Sequence, residues 1–488
     1  MGLSPQAIAK TVGATGTKKI AVILVNFDSA GSNTSGANTM TSDDKTGFNT
    51  TFDYLKNFYK EASYGQLNLE ITFFYSGGST SILAGSEPPF TLSTPMSDYG
   101  ADTDASLSQL VIDSINACAG NVTSTNYDGV IVAHAGYGNE STEKAGDIWA
   151  AYVGPFTETH GFKEGTNIPA REWGVASNIG VACHEFGHHI GLWDLYQTVD
   201  TDGNGQLDTQ VGSWSLMDYG VWLGNPSGSK PSHPSGWEKE KLGWLNYTEI
   251  SSGTSNLSSY AFETSATSVY KLKAPDTETE YFVVYHTSKT AYSPKTRVDE
   301  PPLGDGLLIW HIDEGTIDGT SFADRKTNNS LNNYSHRTVD VKEADDTDPS
   351  VNRGDSTDLW PGVGVKINFS SPYSHRYNGV PSMINVLNIS KKTDFTTFTV
   401  SYKPFISGYV KDSAGNGLAG VILSTGVGSF SPTSSVGYYV FTDLENEIYE
   451  VTPLKSGWKF LPGKCIITIN NSPSTNNNFK AISQTTYD

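Results

Sequence analysis

Residues 184–194 read His184-Glu185-Phe186-Gly187-His188-His189-Ile190-Gly191-Leu192-Trp193-Asp194. Two histidines four residues apart on a helix project from one face, so both imidazoles can reach one Zn²⁺ ion. Glu185 follows the first histidine and can take a proton from a zinc-bound water, whose pKa the metal lowers. The motif therefore predicts a zinc helix with His184 and His188 as ligands and Glu185 as general base.

The residues after the histidines indicate how the ligand set is completed. Gly191 lets the helix end in a left-handed turn, so the chain can fold back and bring in Asp194 as third ligand. Glu238, in the stretch WEKEK, is the alternative third ligand. His189 is out of phase with the two ligands, and we expect it to pack or to support them from behind. A buried helix with incidental histidines is the other interpretation, and Gly and Asp at these offsets disfavour it.

The composition excludes several classes of partner. The chain has 488 residues, which suits two or three domains, and a formal net charge of −20. Little basic surface is left to bind phosphates, so we expect neither nucleic acid nor an anionic membrane as partner. No stretch of 18 apolar residues exists, so we expect no membrane insertion. Cys118, Cys183 and Cys465 match no zinc spacing, which predicts buried thiols or at most one disulfide.

Hydrophobic periodicity predicts three regions after an N-terminal extension at residues 1–17. Residues 18–245 alternate apolar strands with amphipathic helices, which predicts an α/β domain. Residues 246–403 carry strand-like runs between polar turns, which predicts a β-rich subdomain, and residues 404–488 predict a small all-β sandwich. The predicted strands are 18–27, 67–75, 128–134, 281–285, 306–310, 383–387 and 395–402, and the predicted helices lie near 52–62, 107–118 and 178–192.

Residues 212–220, GSWSLMDYG, resemble the Met-turn of metzincin peptidases, in which a methionine lies beneath the zinc. The resemblance implies that Met217 has this structural role. It also implies that Tyr219, two residues later, faces the metal and stabilises the oxyanion. A tyrosine packed in the core is the alternative for Tyr219.

Further ordered motifs extend the resemblance over residues 18–403. They are AVILVNF, KEASYGQLNLEI, DGVIVAHAGYGNES, HEFGHHIGLWDLY, SLMDYG, WEKEKLGWL, GLLIWHIDEG and VKEADDTDPSVNRGDSTDLWPG. On these motifs the chain resembles the immune inhibitor A-like M6 family of zinc metallopeptidases. The resemblance implies an α/β metzincin-like zincin catalytic domain at 18–245, joined to the β-rich subdomain. Residues 404–488, with SGYVKDSAGNGLAGV, resemble carboxypeptidase-regulatory-like β-sandwich modules.

Acidic loops raise the question of a second cation. Residues 200–208, DTDGNGQLD, match the first nine positions of an EF-hand-type loop, although Val211 replaces the acid at position 12. The candidate calcium ligands there are Asp200, Asp202, Asn204, Gln206 and Asp208, and an acidic turn without an ion is the alternative. A second polar group can hold a structural cation or form solvated loops; it comprises His311, Asp313, Glu314, Asp345, Asp346, Asp355 and Asp358.

The family resemblance implies a secreted zinc endopeptidase that hydrolyses peptide bonds of extracellular proteins. The alternative is an inactive surface adhesin on a metallopeptidase scaffold, and the intact Glu185 argues against it. We expect protein or peptide substrates, Ca²⁺ besides Zn²⁺, a monomer, and a cell-surface or glycan ligand for residues 404–488. The start MGLSPQAIAK lacks a basic region followed by an apolar stretch, so we expect the signal and pro-segment to be absent from this chain.

Overall fold

The structure is a computed structural model that describes residues 12–101, 103–172, 179–200, 203, 207–275, 277–288, 304–362, 366–426 and 430–484. It combines mixed and antiparallel sheets with short helices, as the sequence predicts for an α/β region followed by β-rich regions. Within these ranges, no helix has the length and apolar character that crossing a bilayer requires.

A seven-stranded sheet forms the N-terminal layer. Its strands are β1 (Gly16–Phe27), β2 (Leu67–Tyr75), β3 (Gly78–Thr80), β4 (Phe90–Leu92), β5 (Gly129–Tyr137), β6 (Ala151–Val153) and β7 (Gly165–Arg171). The order is β3-β2-β1-β5-β7-β6, and β4 also pairs with β1. The strands β2, β1, β5 and β7 run parallel, whereas the edge strand β6 runs antiparallel to β7. Residues 20–25 of β1 are all fully buried, as expected for a parallel strand covered on both faces.

The helices are α1 (Ser42–Ala62), α2 (Met96–Tyr99), α3 (Asp104–Ala117), α4 (Asn139–Thr142), α5 (Ile179–His189), α6 (Gly236–Lys241), α7 (Phe322–Thr327) and α8 (Pro349–Asn352). Short 3-10 turns lie at Gly212–Trp214 and Tyr219–Trp222. The helix α5, which carries the two histidines of the motif, is buried along its whole length. Tyr59 of α1 donates its hydroxyl to the Cys183 carbonyl at 2.5 Å, so α1 holds α5 by a polar contact as well as by packing.

The β-rich region contains β8 (Thr248–Ile250), β9 (Thr254–Tyr260), β10 (Tyr270–Lys273), β11 (Glu280–Thr287), β12 (Gly306–Asp313), β13 (Val339–Val341), β14 (Ile384–Lys391) and β15 (Phe395–Tyr402). They form two sheets, β13-β12-β11-β10-β8 and β14-β15-β9. One hydrophobic cluster extends from Val12 to Leu359 and so contains residues of both this region and the N-terminal layer. A second cluster lies within residues 272–400. The domain boundaries remain predictions.

The last region contains β16 (Ile406–Lys411), β17 (Ile422–Ser424), β18 (Phe430–Pro432), β19 (Tyr438–Phe441), β20 (Ile448–Leu454), β21 (Trp458–Leu461), β22 (Cys465–Thr468) and β23 (Phe479–Ser483). Two four-stranded sheets, β19-β16-β23-β21 and β18-β17-β20-β22, enclose a separate core from Ile406 to Ala481. The likeness of this region to carboxypeptidase-regulatory modules remains a prediction. All three cysteines are free, and Cys465 is only half-buried.

The first turn of α1 is fixed to β7 by one buried carboxylate. Asp44 accepts the Thr41 backbone N–H at 2.8 Å and completes a capping box. The same carboxylate accepts Nε and Nη2 of Arg171 at 2.7 and 2.9 Å. Since Arg171 ends the strand that precedes α5, this bidentate pair sets where α1 meets the strand leading into the histidine helix.

Replacing Asp44 by Ala should lower the free energy of unfolding by about 3–5 kcal/mol, because Arg171 keeps its charge without a partner. The matched control is Asp53→Ala on the same helix, where an exposed carboxylate pairs with Lys56 at 2.6 Å. That change should cost no more than about 1 kcal/mol. Urea unfolding of both variants checks the prediction, and equal losses would contradict it.

Candidate metal centre

Three side chains converge at the end of α5. Nε2 of His184 lies 3.1 Å from Asp194 Oδ1, and Nε2 of His188 lies 3.3 Å from the same oxygen. All three residues are buried. The structure thus places the two predicted histidine ligands and the preferred third ligand close enough together to contact one metal ion.

Each histidine is oriented through its other ring nitrogen. Nδ1 of His184 lies 3.0 Å from the Leu216 carbonyl, and Nδ1 of His188 lies 3.0 Å from the Leu192 carbonyl. A carbonyl can only accept, so Nδ1 of each ring carries a proton, and Nε2 is the ring nitrogen that faces the site. This is how the histidine ligands of metal sites are held in orientation.

Gly191 turns the chain back toward the helix. Its φ is +104°, a conformation that an L side chain rarely adopts, and α5 has ended at His189. The Leu192 N–H donates to the Gly187 carbonyl at 2.9 Å, and the Leu195 N–H donates to the Met217 carbonyl at 2.8 Å. These bonds place Asp194 beside the histidines, and the helix is shorter than predicted because the turn begins before Leu192.

Asp194 is held by a residue that sequence reasoning missed. Asn329 donates Nδ2 to Asp194 Oδ2 at 2.6 Å, and its Oδ1 accepts the Asp194 backbone N–H at 2.8 Å. Asp194 Oδ1, by contrast, faces the Nε2 atoms of His184 and His188. One carboxylate oxygen is therefore held by Asn329, and the other is directed to the two histidine nitrogens.

The donor set fits a zinc ion. Two imidazole nitrogens and one carboxylate oxygen are ligands that Zn²⁺ accepts, and three protein ligands leave a position open. Burial disfavours protonation of His184, but Asp194 outweighs it and raises the pKa of His184 to about 9. Burial alone would raise the pKa of Asp194, but the two imidazoles hold it well below its usual range. A metal cation and protons therefore compete for this site.

Met217 packs directly against the histidine helix. A methyl group placed on Gly187 would come within 2.8 Å of the Met217 sulfur and 3.3 Å of the Tyr59 hydroxyl. Gly187 is the fourth residue of HEFGH and has no side chain. The Met217 side chain can therefore pack against the helix between the turns that carry the two histidines. Met217 itself is fully buried.

The turn that carries Met217 is built around a buried carboxylate. Asp218 accepts five hydrogen bonds at 2.6–2.9 Å, from the Thr209 hydroxyl and from four backbone N–H groups. These four amides belong to Gln210, Val211, Gly212 and Tyr219. The Asp218 carboxylate organises residues 209–219 into one rigid turn. The sequence analysis did not predict this role of Asp218.

Glu238, the alternative third ligand, supports the same turn from α6. Its Oε2 accepts the Ser215 hydroxyl at 2.7 Å and the Ser235 N–H at 2.6 Å. Ser215 in turn accepts the Met217 N–H at 3.0 Å. Glu238 is not part of the group of side chains that converges with His184 and His188. The geometry therefore favours Asp194 over Glu238 as third ligand.

Glu185 lies beside the ligands with its carboxylate anchored at one end. Its Oε2 accepts the Tyr152 N–H of β6 at 2.5 Å. Burial raises the pKa of Glu185, and the two nearby imidazoles only partly oppose this. The pKa of a general base is best placed near the working pH, because the group must both take up and release a proton. A raised pKa moves Glu185 in that direction.

Two tyrosines lie near the centre. The Tyr219 hydroxyl accepts Nη1 of Arg353 at 2.8 Å, and its role as oxyanion donor remains a prediction. Tyr196 stacks on His184 with ring centroids 6.4 Å apart. Burial, followed by Asp194 and Glu185, raises the pKa of Tyr196 well above its usual range, so its hydroxyl keeps its proton. The Tyr196 hydroxyl is hydrogen-bonded to Asp194.

His189 is separate from the ligand set. It is fully buried, its Nδ1 lies 3.4 Å from the Thr166 hydroxyl, and its Nε2 lies 3.9 Å from a Glu164 carboxylate oxygen. Burial lowers the pKa of His189 to about 3, so the ring is neutral and packs against β7.

The predicted EF-hand-type loop is described only in part. Asp202, Asn204 and Gln206 lie outside the described residues. Asp200 accepts the Gly203 N–H at 2.7 Å, and the Asp208 carbonyl accepts the Gln197 N–H at 2.9 Å. Calcium at this loop remains a prediction.

Comparison with known proteins agrees with this centre. Residues 96–246 match the model of the family described as immune inhibitor A peptidase M6, catalytic domain. The pre-pro-metalloprotease PrtV of Vibrio cholerae serotype O1 is 32% identical over 158 residues, which cover 27% of this chain and 17% of the relative. Immune inhibitor A of Bacillus thuringiensis subsp. alesti is 32% identical over 146 residues, covering 25% of this chain and 20% of that protein.

The matched segment contains both histidines, Glu185, Asp194 and the Met217 turn, and it defines a metallopeptidase domain. Residues 96–246 of this chain are thus similar to the catalytic domain of the immune inhibitor A peptidases. The chain matches at most a fifth of the length of these relatives. Two solved structures match at TM-scores too low to bear on the fold. The Bacillus anthracis TIE protein is 15% identical, with 20% of this chain and 23% of that chain covered and a TM-score of 0.14. A group B streptococcus pilus 2b backbone protein is 14% identical, with 22% of this chain and 51% of that chain covered and a TM-score of 0.16.

Replacing Gly187 by Ala should destabilise the protein by about 1–3 kcal/mol, because the new methyl group overpacks against the Met217 sulfur. The control is Gly463→Ala, where a methyl group meets nothing within 4 Å. Thermal unfolding of the two variants measures the difference. A Gly187→Ala variant as stable as the control would show that Met217 does not press on the helix.

Replacing Asn329 by Ala should weaken zinc binding by about 10- to 100-fold, the usual effect of removing a group that orients a metal ligand. Asn328→Ala changes the exposed neighbouring residue and should leave the affinity unchanged. Competition against a chromophoric chelator gives both values. Unaltered affinity in the Asn329 variant would mean that Asp194 does not depend on this contact.

Proposed function

We propose that the chain is a zinc-dependent endopeptidase with a metzincin-like centre in which His184, His188 and Asp194 hold the metal. The observation that carries the proposal is the convergence of two imidazole nitrogens and one carboxylate oxygen on a single point. The buried carboxylate of Glu185 lies beside this point. It accepts the Tyr152 N–H and forms no hydrogen bond that holds His184, His188 or Asp194 in place.

Zinc, when bound, supplies a Lewis acid that polarises the scissile carbonyl and makes water easier to deprotonate. Glu185 accepts the proton of the attacking water and then delivers it to the leaving amine. The Tyr152 N–H keeps the carboxylate pointing into the site while its other oxygen remains available for the proton. The burial that raises the pKa of Glu185 makes its carboxylate a stronger base toward the attacking water.

The position of β6 supports cleavage within a polypeptide chain. This strand is an edge of the sheet, and its Tyr152 N–H contacts Glu185 directly. An extended substrate that adds to β6 as a further strand lies across the metal centre. Binding by backbone pairing requires no free peptide terminus, which is why an endopeptidase is proposed.

Secretion, extracellular protein substrates and a monomeric state are further parts of this proposal. They rest on the M6 domain, because the relatives that share it carry metalloprotease and immune inhibitor names. The same matches do not favour the alternative of an inactive adhesin. A surface or glycan ligand for residues 404–488 is proposed from the two-sheet architecture alone.

Glu185→Gln should retain zinc but lower kcat/KM for casein by about 10²- to 10⁴-fold, since the amide cannot accept the proton. Metal analysis and a casein assay on the same preparation test both halves. The control is Glu158→Gln, whose exposed carboxylate pairs with Lys163 at 3.4 Å, and it should behave as wild type. Full activity in the Glu185 variant would refute the mechanism, and absence of bound zinc from the wild-type chain would refute the metal assignment.

A further inference from the structure

Three aspartates from the β-rich region converge at a second place. One carboxylate oxygen from each of Asp345, Asp355 and Asp358 lies within 4.8 Å of the others. Asp345 follows β13, whereas Asp355 and Asp358 follow α8, so two stretches of chain meet here. The other members of the polar group noted in the sequence lie elsewhere: His311 is bonded to Glu280, Asp313 to His336, Glu314 to Trp237, and Asp346 to Lys366.

Of the three aspartates, Asp358 gives the strongest evidence for a bound cation. Its side chain is fully buried, and its Oδ2 accepts the Trp214 indole N–H at 2.6 Å and the Asp355 N–H at 3.0 Å. Its Oδ1 is also buried and has no hydrogen-bond donor in the described part of the chain. Leaving a carboxylate oxygen buried and unpaired is costly, and nearby carboxylates increase that cost. Burial, followed by the neighbouring aspartates, raises the pKa of Asp358 to about 6.

The hydrogen bonds around the cluster do not compensate its charge. The Thr357 hydroxyl lies 2.6 Å from both Asp345 Oδ2 and Asp355 Oδ1. A hydroxyl has one proton, so it can donate to only one of these oxygens at a time. Across the described ranges, none of the three aspartates forms an ion pair with a basic side chain.

A neighbouring acidic group provides a contrast. Asp340, Glu343 and Asp348 also place their oxygens within 4.8 Å of one another. There, Arg337 contacts Asp340 and Asp348 at 2.8 Å each, and Lys342 contacts Asp340 at 2.7 Å. Two basic side chains thus offset part of the charge of that group, whereas the described residues supply none to the group around Asp358.

We propose that Asp345, Asp355 and Asp358 bind a calcium ion. All the side-chain ligands are carboxylate oxygens, which suit a hard cation rather than zinc. Asp345 and Asp355 are half-exposed, so water can complete the six to eight oxygen ligands that Ca²⁺ takes. Mg²⁺ requires near-ideal octahedral geometry and binds fewer protein ligands, so a site built from three carboxylates suits Ca²⁺ better.

The calcium ion would fasten this loop to the turn that carries Met217. The Arg353 carbonyl accepts both the N–H and the hydroxyl of Ser213 at 2.8 Å, and Asp358 accepts the Trp214 indole. Ser213 and Trp214 belong to the turn that carries Met217 and contacts the histidine helix. An ion at the aspartates therefore stabilises the metal centre from the outside without touching the zinc ligands.

Calorimetric titration of the zinc-loaded full chain with Ca²⁺ tests the site. Asp355→Asn should bind one calcium fewer than wild type and lose part of the calcium-dependent rise in Tm, because binding to the folded state stabilises it. The matched control, Asp348→Asn in the compensated group, should bind as many calcium ions as wild type. An unchanged calcium count in Asp355→Asn would overturn the proposal.

A second measurement does not depend on the folding of a variant. Crystals of the wild-type chain grown with Ca²⁺ should show anomalous scattering between the three aspartates, and no peak there would also overturn the proposal. Mg²⁺ titrated in place of Ca²⁺ should bind this site much more weakly, and equal binding would overturn the choice of calcium. Zinc content, measured in parallel, separates a failure here from a failure of the proposed peptidase centre.

Discussion

The metal-directed atoms of His184, His188 and Asp194 can meet in a buried place because the remaining polar atoms of these side chains are already bonded to protein. Carbonyls of Leu216 and Leu192 hold the two imidazole Nδ1 atoms, and Asn329 holds Asp194 Oδ2. Each side chain thus turns one polar atom toward the site and has its other polar atom bonded to protein. If any of these hydrogen bonds were lost, the imidazole ring or carboxylate concerned could rotate.

The turn around Met217 links these contacts. Its Leu216 carbonyl orients one histidine, its Met217 carbonyl receives the Leu195 N–H beyond Gly191, and its methionine fills the space left by Gly187. The turn itself is organised by Asp218 and supported by Glu238 through Ser215. The rigidity of the centre therefore comes largely from a loop, which is stabilised by buried carboxylates rather than by a long helix or strand.

Spacing in the sequence predicted that His184, His188 and Asp194 lie together, as the structure has them, because helical periodicity and a glycine turn are local properties. Strands 67–75 and 395–402 were confirmed residue by residue as β2 and β15. Strand β7, GTNIPAR, was missed because its polar residues and Pro169 are untypical of a central strand.

Partners distant in sequence could not be predicted. Asn329 lies in an asparagine-rich stretch with no periodicity, and nothing there distinguishes the residue that reaches Asp194 from its neighbours. The bond from Trp214 to Asp358 likewise joins residues 144 positions apart. Such contacts depend on how the β-rich region packs against the N-terminal layer, which a single sequence does not encode in any short pattern.

The bond between Asp194 and Asn329 spans 135 residues and so imposes an order on the formation of the centre. Both histidines and Glu185 are synthesised well before Asn329. Until the chain has extended past α7 and its loop has docked, Asp194 lacks the amide that holds its carboxylate. The centre is therefore completed only after residues far apart in the chain have both been synthesised and have met.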